Sequence, residues 1–136
     1  MRINISATLQ ATIDIILAPP TQVNDLKGTI NMSTVTLKWT DPTTRVDGSA
    51  LAPTEIASID IFDTAASTPT VPIGNILGGV GTFTTGVLSV GDHTFTVVVN
   101  DTTGHKSAAS NPFTATIAAI SAAPSAVADL SGTVNP

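Results

Sequence analysis

The sequence predicts an all-β protein: a seven-stranded β-sandwich with an extra N-terminal strand and a C-terminal partial repeat. Three observations predict it. Threonine occurs 23 times in 136 residues, the β-branched usage that pleated, half-buried strands favour. Apolar and polar residues alternate with period two in several separate runs. Gly, Pro, Asn and Asp fall between those runs at short intervals, as they do between the strands of antiparallel sandwiches.

The first run is the longest. From Ile3 to Leu17 the odd positions read Ile3, Ile5, Ala7, Leu9, Ala11, Ile13, Ile15 and Leu17, and the even positions through Asp14 are all polar or charged. Unbroken period two marks a strand with one buried face. Ala18-Pro19-Pro20 ends it, because proline brings no ladder donor. A short strand is expected around Val23 to Ile30, and another from Thr34 to Thr40, where Val35, Leu37 and Trp39 share a face. Asp41-Pro42 then turns the chain into a long polar loop, Thr43 to Thr54, which leads into a strand over Glu55 to Phe62. Thr64 to Gly81 is rich in turn formers and predicts only weak edge strands. Phe83 to Leu88 makes the next strand, and Ser89-Val90-Gly91-Asp92 a turn. His93, Phe95, Val97 and Val99 line one face of the strand after it, which ends in a hairpin loop from Asn100 to Lys106. The last strand runs from Phe113 to Ala119. The predicted core is Leu26, Val35, Leu37, Trp39, Ile59, Ile61, Phe95 and Val97.

Several of these residues carry a resemblance. Val23-x-x-Leu26, Val35-x-Leu37-x-Trp39 with Asp41-Pro42, Ile56-x-x-Ile59-x-Ile61, and Leu88-x-x-Gly91 follow one another in the order and spacing of a fibronectin type III domain, a member of the Ig-like sandwiches. The resemblance covers roughly residues 20 to 117. The segment from Gly91 to Val97, with Asn100-Asp101-Thr102-Thr103-Gly104 after it, is more similar to bacterial and bacteriophage variants than to animal ones. Two positions depart from the family pattern: Ile59 stands where an aromatic is usual, and His93 falls near the usual corner tyrosine and is read as its structural replacement.

The two ends of the chain repeat one another. A shift of 104 residues places Ala11-Thr12-Ile13 on Ala115-Thr116-Ile117 and Val23-x-Asp25-Leu26 on Val127-x-Asp129-Leu130, with 12 of the 21 positions from Ala11 to Asn31 identical. A period near 100 residues fits tandem sandwich modules. Residues 1–17 then read as an assembly strand bearing Ile3, Ile5, Leu9, Ile13, Ile15 and Leu17, residues 18–121 as a complete module, and residues 122–136 as a linker and the first strand of a second module. An amphipathic strand without neighbours exposes apolar side chains and unpaired backbone groups, which folded proteins avoid or use for pairing. The expectation is that it adds to a sheet edge of another subunit or of its own module. A longer first strand that simply extends the module's own sheet is the plainer alternative, and a longer repeat protein is the plainer reading of the tail.

Composition bounds the chemistry. Only 11% of residues are charged and the net charge is −5, so there is no basic patch for a phosphate backbone and no nucleic-acid partner is expected. Cysteine is absent, which removes disulfides and thiolate metal sites. No run approaches the roughly 18 apolar residues of a membrane helix, so no membrane partner is expected. His93 and His105 share no ligand spacing. Asp41, Asp47 and Glu55 flank one loop but lack the alternating ligands and glycine pivot of a calcium site. Gly78-Gly79-Val80-Gly81 is followed by a strand pattern rather than a helix, so it is a hinge or tight turn and not a phosphate cradle. Arg45-Val46-Asp47-Gly48 is not the integrin tripeptide. No nucleophile motif is apparent, and neither enzyme activity nor a cofactor is expected.

Two function classes remain. One is a bacteriophage virion structural protein, such as a capsid decoration, head fibre, or tail or baseplate appendage, whose partners are other virion subunits and further copies of itself. The other is a secreted bacterial surface or accessory module, extracellular, that binds polysaccharide or protein. Polar residues interrupt every apolar position at the N-terminus, so no export signal is expected there, which favours the first class.

Overall fold

The computed structural model describes residues 17–120 and 124–136. Seven strands form: β1 (Lys27–Asn31), β2 (Thr34–Lys38), β3 (Ile56–Asp63), β4 (Gly74–Leu77), β5 (Thr82–Thr84), β6 (Gly91–Asp101) and β7 (Phe113–Ile117). There is no α-helix among the described residues, only a single 3-10 turn at Pro53–Glu55. The strands pair antiparallel in two sheets, β1-β2-β5 and β4-β3-β6-β7, which face each other across one core.

Alternation decides what the sheets bury. On β6 every second residue points inward, so His93, Phe95, Val97, Val99 and Asp101 are buried in succession. Val35 and Leu37 of β2, Ile59 and Ile61 of β3, and Ala115 and Ile117 of β7 answer them from the facing strands and their neighbours. Each such Val, Leu, Ile or Phe side chain contributes about 1.5–3 kcal/mol by leaving water. All eight residues of the expected core are buried, together with Val23, Leu51, Ile56 and Val99. On β3 the buried positions slip out of phase between Ile56 and Ile59, because the pairing with β6 jumps from Ile56–Asp101 to Ser58–Asn100 and leaves Ala57 as a bulge.

Several boundaries differ from the sequence reading, two of them because side chains take over ladder bonds. The strand expected from Val23 joins the sheet only at Lys27: Asn111 donates through Nδ2 to the Leu26 carbonyl and accepts the Leu26 N–H at 3.0 Å each. Asn111 N–H also donates to the Val23 carbonyl, so this stretch is tied to the opposite sheet rather than to β2. The strand expected from Phe83 to Leu88 is reduced to Thr82–Thr84, after which Thr85 Oγ accepts the Val35 N–H and the chain leaves the ladder. The turn expected at Ser89–Asp92 is shorter, since Gly91 already pairs with Ile117. Thr64 to Gly81 holds one edge strand, β4. The loop from Thr43 to Thr54 is not wholly polar in its packing, because Leu51 is buried.

Residues 124–136 lie outside the two sheets. Ile3, Ile5, Leu9, Ile13 and Ile15 of the predicted assembly strand lie outside the described residues. Leu17, its last member, is half-buried and sits in no strand. Residues 124–136 form no strand, and Val127, Leu130 and Val134 are exposed. A strand needs a neighbour for its backbone groups, and this stretch pairs with no other described residue.

The glycine-rich stretch is a tight turn. A Cβ on Gly78 would sit 2.7 Å from the Ile56 carbonyl oxygen and 2.6 Å from its Cγ2, and Gly79 adopts φ +85°. Gly78→Ala should therefore force β4 away from β3 and cost about 1–3 kcal/mol, as overpacking does; urea denaturation with the midpoint compared to wild type measures it.

Candidate functional site

Three features of the sandwich carry chemistry beyond packing: a charged clip at one pole, a buried histidine at the other, and an open edge along β7.

The clip is built on Arg45, which the turn after Thr43–Thr44 aims inward. Its guanidinium is almost fully buried and binds Asp101 Oδ2 at 2.7 Å, the Ala18 carbonyl at 2.8 Å and Glu55 Oε1 at 3.4 Å. Asp101 uses its second oxygen to accept the backbone N–H groups of Thr103 and His105, which shapes the β6–β7 loop. Burial pushes the Asp101 carboxyl up, but the Arg45 guanidinium and these loop donors outweigh it and hold it far below the usual carboxylate range. Glu55 also accepts the Ala52 N–H, locking the 3-10 turn. One guanidinium thus joins the entry of the chain to both loops at this pole. Losing one partner of a buried pair costs about 3–5 kcal/mol, so Asp101→Asn should lower stability strongly. Because the native Asp101 pKa is depressed, the wild type's advantage should be complete above the ordinary carboxylate range and fall away as pH is lowered below it; guanidinium melts of both proteins at several pH values check this.

His93 closes the other end of β6. It lies against Phe95 with ring centroids 6.2 Å apart, and its Nδ1 meets Asp63 Oδ2 at 2.7 Å while its Nε2 meets the Ser89 carbonyl at 2.9 Å. Both neighbours are acceptors, so the ring satisfies them only as the doubly protonated imidazolium. The hydrogen bond to a carbonyl four residues upstream is the service a corner tyrosine performs, and His93 supplies it with a charge added. Burial pushes the imidazole pKa down, yet the Asp63 carboxylate and the Ser89 carbonyl outweigh it, with Asp92 adding to the pull, and the net shift is upward. A raised native pKa gives stability that is whole below about 6.5 and is lost as pH rises through the native value. The melting temperature should accordingly fall as pH rises above about 6.5, and His93→Gln should flatten that slope in calorimetry.

The third feature is the edge of β7. Val97 and Val99 turn their backbone groups toward Ser110 and Ser107, on the β7 side, whereas the Thr94 carbonyl accepts from Thr64 on the β3 side. Alternation then directs Gly91, His93 and Phe95 toward Ile117, Ala115 and Phe113. The backbone groups of Thr114 and Thr116 consequently point away from the sheet, and they meet no partner among the described residues. Edges are normally guarded by lysine, proline or a bulge; Phe113-Thr114-Ala115-Thr116-Ile117 has none of these. Beside the edge runs an apolar groove of about 420 Å³, floored by Ile30, Met32, Ala118 and Ile120.

The acidic residues of the β2–β3 loop are spoken for within the fold. Asp41 accepts the Trp39 indole N–H and the Gly79 N–H, and Asp47 accepts from Ser49. No group of three potential metal ligands gathers among the described residues. His105 is half-exposed and bonds Thr103 Oγ. None of the chain's five Trp and Phe side chains is exposed, Trp39 and Phe95 being buried. No helix of the described residues is long and apolar enough to cross a membrane.

No family model matches the chain, and no curated protein does. Solved structures do match. A crystal structure of titin domains is 19% identical with a TM-score of 0.55, over 74% of this chain and 33% of that one. The FN1–FN3 domains of chicken CNTN1 are 16% identical with a TM-score of 0.56, over 74% of this chain and 34% of that one. The Clostridium perfringens spore cortex lytic enzyme SleM is 14% identical with a TM-score of 0.54, over 74% of this chain and 29% of that one. This chain therefore spans about a third or less of the length of each. At such identities the likeness concerns the fold alone, and together with the strand order β1-β2-β5 and β4-β3-β6-β7 it makes this chain an all-β, fibronectin type III-like sandwich.

Proposed function

We propose that this chain is a structural subunit of a bacteriophage virion, a capsid decoration, head fibre, or tail or baseplate appendage, that works by assembly and display rather than by catalysis. The observation that carries the reading is a complementarity between sequence and fold. The chain contains a long period-two segment, Ile3 to Leu17, and the outer edge of β7, one of four sheet edges among the described residues, meets no partner there and carries no lysine, proline or bulge. Strand addition supplies affinity through backbone bonds and specificity through alternate side chains, which suits a protein that docks many times on a symmetric scaffold. The polar groups that could do chemistry are occupied in holding the fold: His93, Asp63, Arg45 and Asp101 all bond one another or the backbone. Its partners on this reading are other virion subunits and further copies of itself, and its place is the particle.

The competing reading is an extracellular bacterial accessory module that binds polysaccharide. Sugar recognition commonly uses exposed aromatic faces as platforms, and here every Trp and Phe ring is at least half covered. That weighs for the structural role. The protein should copurify with intact particles at a fixed number of copies, and deletion of residues 2–17 should abolish incorporation while leaving a folded sandwich. Quantitative mass spectrometry of purified particles reads both; recovery only as a free secreted monomer, or normal incorporation of the truncated chain, contradicts the proposal.

A further inference from the structure

The open edge of β7 has features that select one kind of partner. Along β7 the odd residues Ala115 and Ile117 face the core, and the even residues Thr114 and Thr116 face solvent. A strand laid beside it must repeat that division, apolar toward the space between the sheets and polar outward. The segment from Ile3 does so through Ile15, before Ile16 breaks the alternation, and its Ala11-Thr12-Ile13 is identical to Ala115-Thr116-Ile117. In the 104-residue repeat its Leu9 to Ile15 portion aligns with Phe113 to Ala119, the stretch that contains β7.

The groove beside the edge is shaped for such an addition. Met32, at the β1–β2 turn, takes φ +53° and is 83% exposed, and Ile120 is 90% exposed. A bulky non-glycine residue in the left-handed region carries a conformational cost, and here it holds an apolar side chain in water. The exposure of Met32 and Ile120 is relieved if aliphatic side chains of an added strand cover the groove.

The path of the chain indicates whose strand it is. Ala18 to Thr21 is held extended by three contacts: Arg45 to the Ala18 carbonyl, Val46 N–H to the Pro19 carbonyl, and Thr21 N–H to the Thr44 carbonyl. Pro19 and Pro20 stiffen this passage in the extended form. It lies at the Arg45–Asp101 pole, whereas the groove lies at the opposite pole, beside the end of β7 that pairs with Gly91. A chain held straight at that pole leads away from its own groove.

We propose that the outer edge of β7, with the Ile30–Ile120 groove, is the acceptor for the Ile3–Leu17 segment of a second copy of this chain. The inference rests on the reading of the chain as a strand-assembled structural subunit, and it names the partner. Backbone groups of Thr114 and Thr116 bond the incoming strand, whose Ile and Leu side chains cover Met32 and Ile120.

Sedimentation velocity over a concentration series tests it on four proteins: the full chain, the chain lacking residues 2–17, and full chains carrying Thr116→Pro or Thr116→Lys. Thr116→Pro removes an outward N–H without touching the β6 ladder; Thr116→Lys keeps the backbone and guards the edge with a charge. If the proline variant fails to fold by circular dichroism, the lysine variant decides. The full chain should self-associate, the truncated chain should stay monomeric, and the edge variants should associate at least about tenfold more weakly. Edge variants that associate like wild type, beside a monomeric truncated chain, overturn β7 as the acceptor and leave strand-mediated assembly standing. Self-association of the truncated chain overturns both. A full chain that is monomeric throughout, or whose residues 3–17 are protected in hydrogen exchange within a monomer, overturns the second copy as donor.

Discussion

Strand β6 carries a buried charged pair at each end of its inner face, and the sandwich is organised between them. Asp101 meets Arg45 at one pole, His93 meets Asp63 at the other, and Phe95, Val97 and Val99 fill the span. Such pairs add little net stability over apolar substitutes, because desolvation offsets their attraction. Their effect here is on register. Sliding β6 by one residue would turn Phe95, Val97 and Val99 to the solvent face and strand Arg45 and Asp63 without partners. The apolar strip alone would tolerate a two-residue slip; the charges at its ends do not.

The same economy recurs where strands stop short. Ser107 and Ser110 hydroxyls accept the Val99 and Val97 N–H groups, Thr85 accepts that of Val35, and Asn111 serves both backbone groups of Leu26. Short polar side chains stand in for absent strand neighbours. A chain with so few charges satisfies its buried backbone largely through hydroxyls and amides, and the abundance of Thr and Ser has this purpose as well as strand propensity. On the outer face of β3 and β6, Asn75, Asn100 and Lys106 converge on Asp60, whose burial is outweighed by their hydrogen bonds so that its pKa is lowered.

Much of this was legible in the sequence. Period two placed Val35-x-Leu37-x-Trp39 and Phe95-x-Val97-x-Val99 on their faces, whereas the bulge at Ala57 shows only in the pairing of β3 with β6. The place of His93 near a corner position was legible, but its bonds to Ser89 and Asp63 were not. What could not be read was long-range and polar. Arg45 sits in a loop next to Asp47, and nothing local announces that its partner is Asp101, 56 positions on. The Asn111 clamp is likewise invisible, since an Asn before a Pro reads as a turn former. The open edge of β7 emerges only when the sheet order places β7 at one end of the four-stranded sheet and when alternation shows which way Thr114 and Thr116 point.

The Asn111 clamp also bears on how the protein is made. It joins Leu26 to a residue 85 positions later, and β7, which follows it, completes the four-stranded sheet. On a ribosome the N-terminal strands emerge well before residue 111 exists, so β1 and β2 can pair while Val23 and Leu26 still lack their anchor. Closure of the sandwich is therefore withheld until nearly the whole module has been synthesised, and a nascent chain spends that interval with its interior unsealed.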